Sequence, residues 1–244
     1  MENLYQTGEY WEKNSSFHEE DSDFKFQNFM VLVTRNPEIS ISGIVDLGCG
    51  AGRITWNFSN HFKEVSCVGV DLDHSIVKYA SNKYQNENLS YQTGLESIKG
   101  DKSYNLVVLA DVFEHIVDYI GFLQGIKKEF TYQLFNIPLD LSVRTLLTNG
   151  PIGARNAFGH LHFFYDKLAL RILEDNGFDV IDYFYTDNIS FEGSKQKGIT
   201  KGIYFFKSII SRVSRLLIGQ SKTSVIFGYS SLTVLCRSIE NKSS

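Results

Sequence analysis

Gly43-Ile44-Val45-Asp46-Leu47-Gly48-Cys49-Gly50-Ala51-Gly52-Arg53 reads as a short apolar strand that breaks through three glycines into a helix. Ile44, Val45 and Leu47 make the apolar run of a buried parallel strand. Ile54, Trp56, Phe58 and Phe62 then follow with helical patterning. A strand that turns through glycines into a helix brings bare backbone N–H groups close to a ligand, at the carboxyl edge of a sheet. The spacing decides which ligand. Gly-x-Gly-x-x-Gly seats a pyrophosphate on the helix N-terminus. Here the pattern is Gly-x-Gly-x-Gly, with Asp46 two residues before the first glycine. A carboxylate there repels a pyrophosphate and suits a ligand carrying an ammonium or sulfonium charge.

Working outward, further strands are predicted over 66–72, 89–93, 104–110, 132–137, 180–185 and 231–236. Helical spacing separates them. Phe26, Phe29, Met30, Leu32 and Val33 form one stripe ahead of Pro37; further helices cover 119–130 and 168–173, the latter closed by Asn176-Gly177. The 139–159 stretch, with Arg144, Asn149-Gly150-Pro151 and Arg155, reads as a looser connection. Seven strands alternating with helices predict an open α/β sheet with helices on both faces.

Bulk properties exclude several classes. The 244 residues suit one large domain, and no apolar run approaches the length that spans a bilayer. Met1 to Trp11 has neither the basic cluster nor the apolar core of a secretory signal. Cys49, Cys67 and Cys236 are odd in number and lack Cys-x-x-Cys spacing, which points to a reducing, cytoplasmic setting and away from a cysteine metal site. A net charge of −4 gives no reason to expect nucleic acid. That charge is unevenly placed, since residues 190–222 carry +6 and the remainder −10.

Val45 to Gly52 closely resembles the first motif of class I S-adenosylmethionine-dependent methyltransferases, of the small-molecule or glycan type. The resemblance implies a Rossmann-like seven-stranded sheet whose last strand is antiparallel, between the fifth and sixth. It implies S-adenosylmethionine as cofactor, held around Asp46, Gly48, Cys49, Gly50 and Gly52. Asp71, about 20 residues past the glycines at a strand tip, takes the ribose hydroxyls, with Leu72 beside the adenine. Asp73 fits a helix cap better than Asp71 does. Where the family usually has an acid at the adenine, this chain has Leu95 followed by Glu96; either Glu96 substitutes or the Leu95 backbone suffices.

Asp111-Val112-Phe113-Glu114-His115-Ile116 resembles the family's fourth motif, which passes the transferable methyl group. His115 has two readings: a base that takes a proton from an attacking hydroxyl, or a side chain that packs the following helix. Some quinone-type relatives hold a divalent metal near such a Glu-His pair. Two adjacent side chains do not make a full ligand set, and no metal is expected. Gly159-His160-Leu161-His162-Phe163-Phe164 resembles the substrate-side half of sugar and small-molecule methyltransferases. His160 is the second catalytic candidate. For His160 and His162 a metal pair, a substrate pair and surface histidines all stay open, with at least one expected on the surface.

The expected organisation is an acidic arm and helix over 1–42, with Tyr10-Trp11 resembling a cofactor lid or else lying in a surface arm. The core follows over 43–244, interrupted by the basic insertion 190–222. Within it Ile203, Phe206, Ile209, Ile210, Val213, Leu216 and Leu217 share one helical face. That face either packs on the core or a second copy, or contacts a membrane peripherally through 203–217. The expected activity is methyl transfer to a small-molecule, sugar, quinone-like or lipid-linked acceptor, at oxygen or nitrogen. The alternatives are a non-catalytic cofactor-binding scaffold and a nucleotide-dependent oxidoreductase, the latter disfavoured by Asp46 and the glycine spacing.

Overall fold

The computed structural model of the chain describes residues 19–96, 98–228 and 230–239. The Tyr10-Trp11 pair lies outside the described residues. The apolar run after Gly43 forms β1 (Gly43–Leu47), fully flanked: Val45 lies opposite Val68 on one side and Val107 on the other. Those partners belong to β2 (Ser66–Asp71) and β4 (Leu106–Ala110), both parallel to it. β3 (Leu89–Thr93) extends the sheet beyond β2, and β5 (Tyr132–Pro138) lies beyond β4. β7 (Ser231–Ser238) inserts between β5 and β6 (Phe178–Tyr185), antiparallel to both, giving the order β3-β2-β1-β4-β5-β7-β6. The seven-stranded sheet and its antiparallel last strand are as the motif resemblance implies.

Alternation along the strands sends side chains to two cores. Ile44, Leu106, Val108 and Leu235 pack under α1 (Glu19–Arg35) through Phe29 and Leu32, and under α2 (Arg53–His61) through Ile54 and Phe58. Val45, Val107, Leu109 and Val234 pack under α4 (Tyr119–Glu129) through Leu123 and Ile126, and under α7 (Asp166–Asp175) through Ala169 and Leu173. α3 (His74–Lys83) connects β2 to β3 and is capped by Asp73, whose carboxylate accepts from Ser75 N at 2.8 Å. The strand order reverses between β1 and β4. In such sheets that reversal opens the ligand crevice at the carboxyl ends.

Two segments depart from the sequence expectation. The 139–159 connection is not loose: it folds into α5 (Val143–Leu147) and α6 (Gly150–Phe158). Ser142 and Thr145 close a reciprocal capping box on α5, and Pro151 sits in the first turn of α6, so local capping chemistry outweighed the apparent looseness. The basic insertion folds as α8 (Asn188–Lys195), α9 (Gly198–Ile218) and α10 (Gln220–Phe227). The apolar face of α9 does not pack on the core. Ser208 and Ser211 are buried, while Ile203, Phe206, Ile210, Val213 and Leu217 are exposed.

Candidate active site

The loop after β1 is built around conformations that side chains resist. Gly48, Gly50 and Gly52 have φ of 77°, 51° and 85°. A Cβ on Gly52 would stand 2.6 Å from the Tyr91 ring, and Tyr91 Oη donates to Gly52 O at 2.8 Å. The loop is thus pressed onto β3. Gly48 N and Cys49 N both donate to Val70 O, at 2.8 and 3.0 Å.

Asp71 ties this loop to the next strand. Its Oδ2 accepts from Gly50 N at 3.0 Å and its Oδ1 from Asp73 N at 3.1 Å. Burial pushes its carboxyl upward in pKa, and the backbone donors pull the other way. Leu72, just past the strand, is 75% exposed. Beyond β3, Leu95 packs into the core while Glu96 is exposed and its carboxylate folds over Gly94. Asp46 is buried beneath the loop, its carboxylate accepting from Thr55 Oγ1 at 2.6 Å. Burial pushes its pKa up to about 7, with the Asp71 charge adding to the effect.

The second half of the site forms where β4 ends. Asp111 adopts a left-handed backbone, φ 56°, which re-aims its side chain. Its Oδ1 accepts from Asn136 Nδ2 at 2.6 Å, and its Oδ2 lies 2.7 Å from Lys25 Nζ of α1. Lys25 also reaches Asp21 at 2.9 Å. Burial works against the charges of Lys25 and Asp111, but each holds the other ionised, so the lysine's pKa rises and the aspartate's falls.

Three residues on, a single 3-10 turn (Phe113–His115) buries Glu114 completely. Its carbonyl accepts from Leu161 N at 2.9 Å and His162 N at 3.1 Å, drawing the 159–164 segment against the fourth-motif turn. This brings the His160 ring edge-on to His115, centroids 4.8 Å apart. His160 Nδ1 meets Asp140 Oδ2 at 2.7 Å. Neither carboxylate oxygen of Glu114 has a hydrogen-bond donor among the described residues. Burial drives its pKa well above the carboxylate range, Asp111 adding. Ligand atoms of Glu114, His115 and His160 all lie within 4.8 Å of one another, a set able to hold a metal ion.

The sequence expectation of a surface histidine is corrected here. His160 is buried against Asp140, and half-buried His162 bonds Ile116 O at 2.9 Å, edge-on to Tyr119. The two reach different partners because the pull of the Glu114 carbonyl fixes the segment between them. Lys25 and Asp140 escaped the sequence reading. Asp140 had a signal, an acid just past a strand end; Lys25, 86 positions from Asp111 along the chain, had none.

A family model described as a methyltransferase domain matches residues 25–183. The methyltransferase-named protein 235L of Invertebrate iridescent virus 6 is 30% identical over 95 residues, 39% of this chain and 36% of its own length. The malonyl-[acyl-carrier protein] O-methyltransferase of Acetivibrio thermocellus is 22% identical over 141 residues, 55% of this chain and 44% of its own. The chain therefore spans less than half the length of these two curated relatives. Among solved structures, magnesium protoporphyrin IX methyltransferase from Synechocystis PCC 6803, with bound SAH, superposes at a TM-score of 0.58. Its identity is 15%, covering 96% of both chains. The N-methyltransferase NodS from Bradyrhizobium japonicum WM9, also with SAH, gives 0.59 at 13% identity, covering 98% of this chain and 100% of its own. At such identities these two structures speak to the fold.

Proposed function

The chain belongs to the methyltransferase domain family, and from that premise we propose that it moves a methyl group from S-adenosylmethionine to a small acceptor. Family membership sets aside the oxidoreductase alternative. The observation that carries the proposal is the junction of Gly50 N with the Asp71 carboxylate, 3.0 Å apart, at the reversal of strand order. The donor set fits a nucleoside. Each Asp71 oxygen accepts one backbone N–H and retains lone pairs for two vicinal ribose hydroxyls.

A cofactor bound there would supply a methyl group activated by its sulfonium, which passes in line to the acceptor nucleophile as the C–S bond breaks and the neutral thioether leaves. The chain's part is to bind, align and exclude water. Asp71 accepts the ribose hydroxyls, exposed Leu72 offers an apolar edge to the base, and Leu95 and Glu96 border it. Gly48, Cys49, Gly50 and Gly52 let the backbone approach. Asp46 positions the loop from beneath through Thr55 and places negative charge under the cation. Asp111, held by Lys25 and Asn136, borders the amino-acid end. On the acceptor side His160 is the better-placed base: with Nδ1–H donated to Asp140, Nε2 is left to take a proton from an attacking hydroxyl, or from an ammonium before the freed amine attacks. His115 lies against it as the second imidazole. The acceptor classes that fit are a small molecule, a sugar, a quinone-like ring or a lipid-linked sugar.

The donorless Glu114 carboxylate favours a second reading of the same cluster. Glu114, His115 and His160 would hold a divalent ion of the zinc class, with Asp140 orienting His160 from behind, and such an ion would supply Lewis-acid polarisation of an acceptor hydroxyl.

Calorimetry with SAH and NAD tests the cofactor assignment. SAH should bind and NAD should not, and Asp71→Ala should lose about 1.5–3 kcal/mol of SAH affinity per charge-assisted bond removed. Tight NAD binding, or full SAH affinity in Asp71→Ala, overturns it. Turnover tests the acceptor side: His160→Ala and His115→Ala should bind SAH normally and lose about 10²–10⁴-fold in rate. Turnover that survives a chelator in the wild type and is lost in His160→Ala supports the imidazole base. A chelator that abolishes turnover, with zinc restoring it, selects the metal reading. SAH binding without turnover across glycan, quinone and lipid-linked acceptors returns the chain to the scaffold alternative.

A further inference from the structure

α9 is packed inside out. Tyr204, Ser208, Ser211 and Arg215, spaced three and four apart, face the protein. Ser208 Oγ lies 3.1 Å from Ser190 Oγ of α8, and Arg215 Nη2 donates to Asp187 Oδ2 at 2.9 Å and to Ser211 Oγ at 2.9 Å. Polar bonding therefore fixes which face looks inward. Ile199, Ile203, Phe206, Ile210, Val213 and Leu217 also recur three and four apart, and all six are exposed, Phe206 at 66% and Leu217 at 78%. Phe205 and Leu216 widen the stripe on one flank. An apolar stripe along a 21-residue helix is far larger than the scattered exposed hydrophobes of an ordinary surface, and it marks an interaction face.

Charge identifies the partner. The 190–222 segment carries +6 in a protein otherwise at −10. Lys201 and Arg212 are exposed on α9, Lys207 is half-buried there, and Lys222 lies on α10. Pairing two copies through α9 would set Lys201, Lys207 and Arg212 of one against the same three of the other, so a dimer is opposed by its own field. An anionic bilayer meets the same face with attraction, and it repels the acidic remainder, which sets the orientation. No described helix is long and apolar enough to cross a membrane. The geometry is that of a helix lying in the interface plane.

The apolar exposure continues toward the acceptor side. Arg144 Nε donates to Phe227 O at 2.7 Å, joining α5 to α10. A crevice of about 410 Å³ between these helices is lined by Val143, Leu147, Ile226 and Phe227. Exposed Leu147 and Ile152 sit on the α5–α6 connection that leads from β5 to His160.

We propose that the outer face of α9 docks the protein on an anionic membrane surface, immersed in the headgroup region with its lysines and arginine against lipid phosphates. This docking stands on the helix and its charge, independently of the methyl-transfer reading. A membrane-borne acceptor would reach the site along the α10–α5 crevice, and that consequence does rest on the reading.

The test is flotation of the full chain with phosphatidylcholine vesicles, with and without about a third phosphatidylglycerol, at low and moderate salt. Binding should require the anionic lipid and weaken with salt. Lys201→Glu with Arg212→Glu should weaken it at least tenfold, as should Phe206→Ser with Leu217→Ser. All four side chains are exposed, so SAH affinity and circular dichroism should be unchanged. Arg215→Glu would be a poor probe, because Arg215 is bonded inward to Asp187. Asp71→Ala, disabled for SAH, should still float. Protein that stays unbound under every condition overturns the proposal. So does equal binding by the Phe206→Ser, Leu217→Ser variant. A vesicle-indifferent dimer that this variant splits in light scattering would assign the face to a second copy instead.

Discussion

Asp46 carries its charge at a cost that depends on pH. It is 1% exposed, with one side-chain hydroxyl as donor, and burial lifts its pKa to about 7. Unfolded, an aspartate titrates near 4. Between these values the folded chain holds a proton that the unfolded chain releases, so this group's stability contribution is fully present below about pH 4 and is lost as pH rises through about 7. Asp46→Asn keeps an oxygen for Thr55 and removes the charge. It should match the wild type in denaturant stability at pH 4 and exceed it by about 1–3 kcal/mol at pH 8, while binding S-adenosylmethionine more weakly. Equal stability gains at both pH values would show that the charge is already solvated. The aspartates at strand ends, 46, 71 and 111, were legible in the sequence because each follows an apolar run. Thr55 and Asn136, which hold two of them, were not: a hydroxyl or amide has no spacing signal, and its role exists only once helix and strand are docked.

At the scale of elements, α1 is fastened across the carboxyl edge by ion pairs as well as by its apolar stripe. Asp23 chelates Arg53 of α2 at 2.9 and 3.0 Å and accepts from Asn57, and Glu19 meets Lys83 of α3. These pairs are partly exposed and contribute little each. Lys25 differs, because two carboxylates converge on one shielded ammonium. Lys25→Met would leave Asp111 and Asp21 facing each other without a cation. Fully buried pairs broken this way lose about 3–5 kcal/mol, and partial exposure of both aspartates lowers the expectation to about 2–3 kcal/mol in urea unfolding at pH 7. A loss under about 0.5 kcal/mol would mean water replaces the lysine. Lys25→Met with Asp111→Asn should recover part of the loss, since the remaining charge then has one fewer like neighbour. The amphipathic stripes of α1 and α9 were both visible as periodicity, yet they face opposite ways. Periodicity reports that a stripe exists; whether it turns inward was decided by Ser208, Ser211 and the Arg215–Asp187 pair, whose partners on α8 and at its cap no spacing rule reveals.

Across the whole molecule, the proposed cofactor site joins segments that the chain keeps far apart: α1 through Lys25, the loop at 48–52, the strand end at 71, and the fourth-motif turn that also anchors residues 159–164. A ligand held there contacts pieces that separate on unfolding, so its binding energy becomes folding energy for the cooperative unit as a whole. SAH at about a hundred times its dissociation constant should add about 2.7 kcal/mol. For a domain of this size each kcal/mol moves the midpoint by roughly 2–4 °C, which predicts a rise of about 5–10 °C. NAD at the same concentration should leave the midpoint unmoved, because Asp46 lies beneath the position its pyrophosphate would occupy. Asp71→Ala should lose most of the SAH shift, whereas the Phe206→Ser, Leu217→Ser variant should retain all of it, its changes being confined to the outer face of α9. A melt raised by SAH in a single transition, read alike by circular dichroism and tryptophan fluorescence, would show that the loop, α1 and the antiparallel β7 edge unfold together. A shift seen only by the fluorescence of Trp56 on α2, read in a Trp11→Phe background, would instead confine the ligand's effect to the glycine-loop half of the sheet.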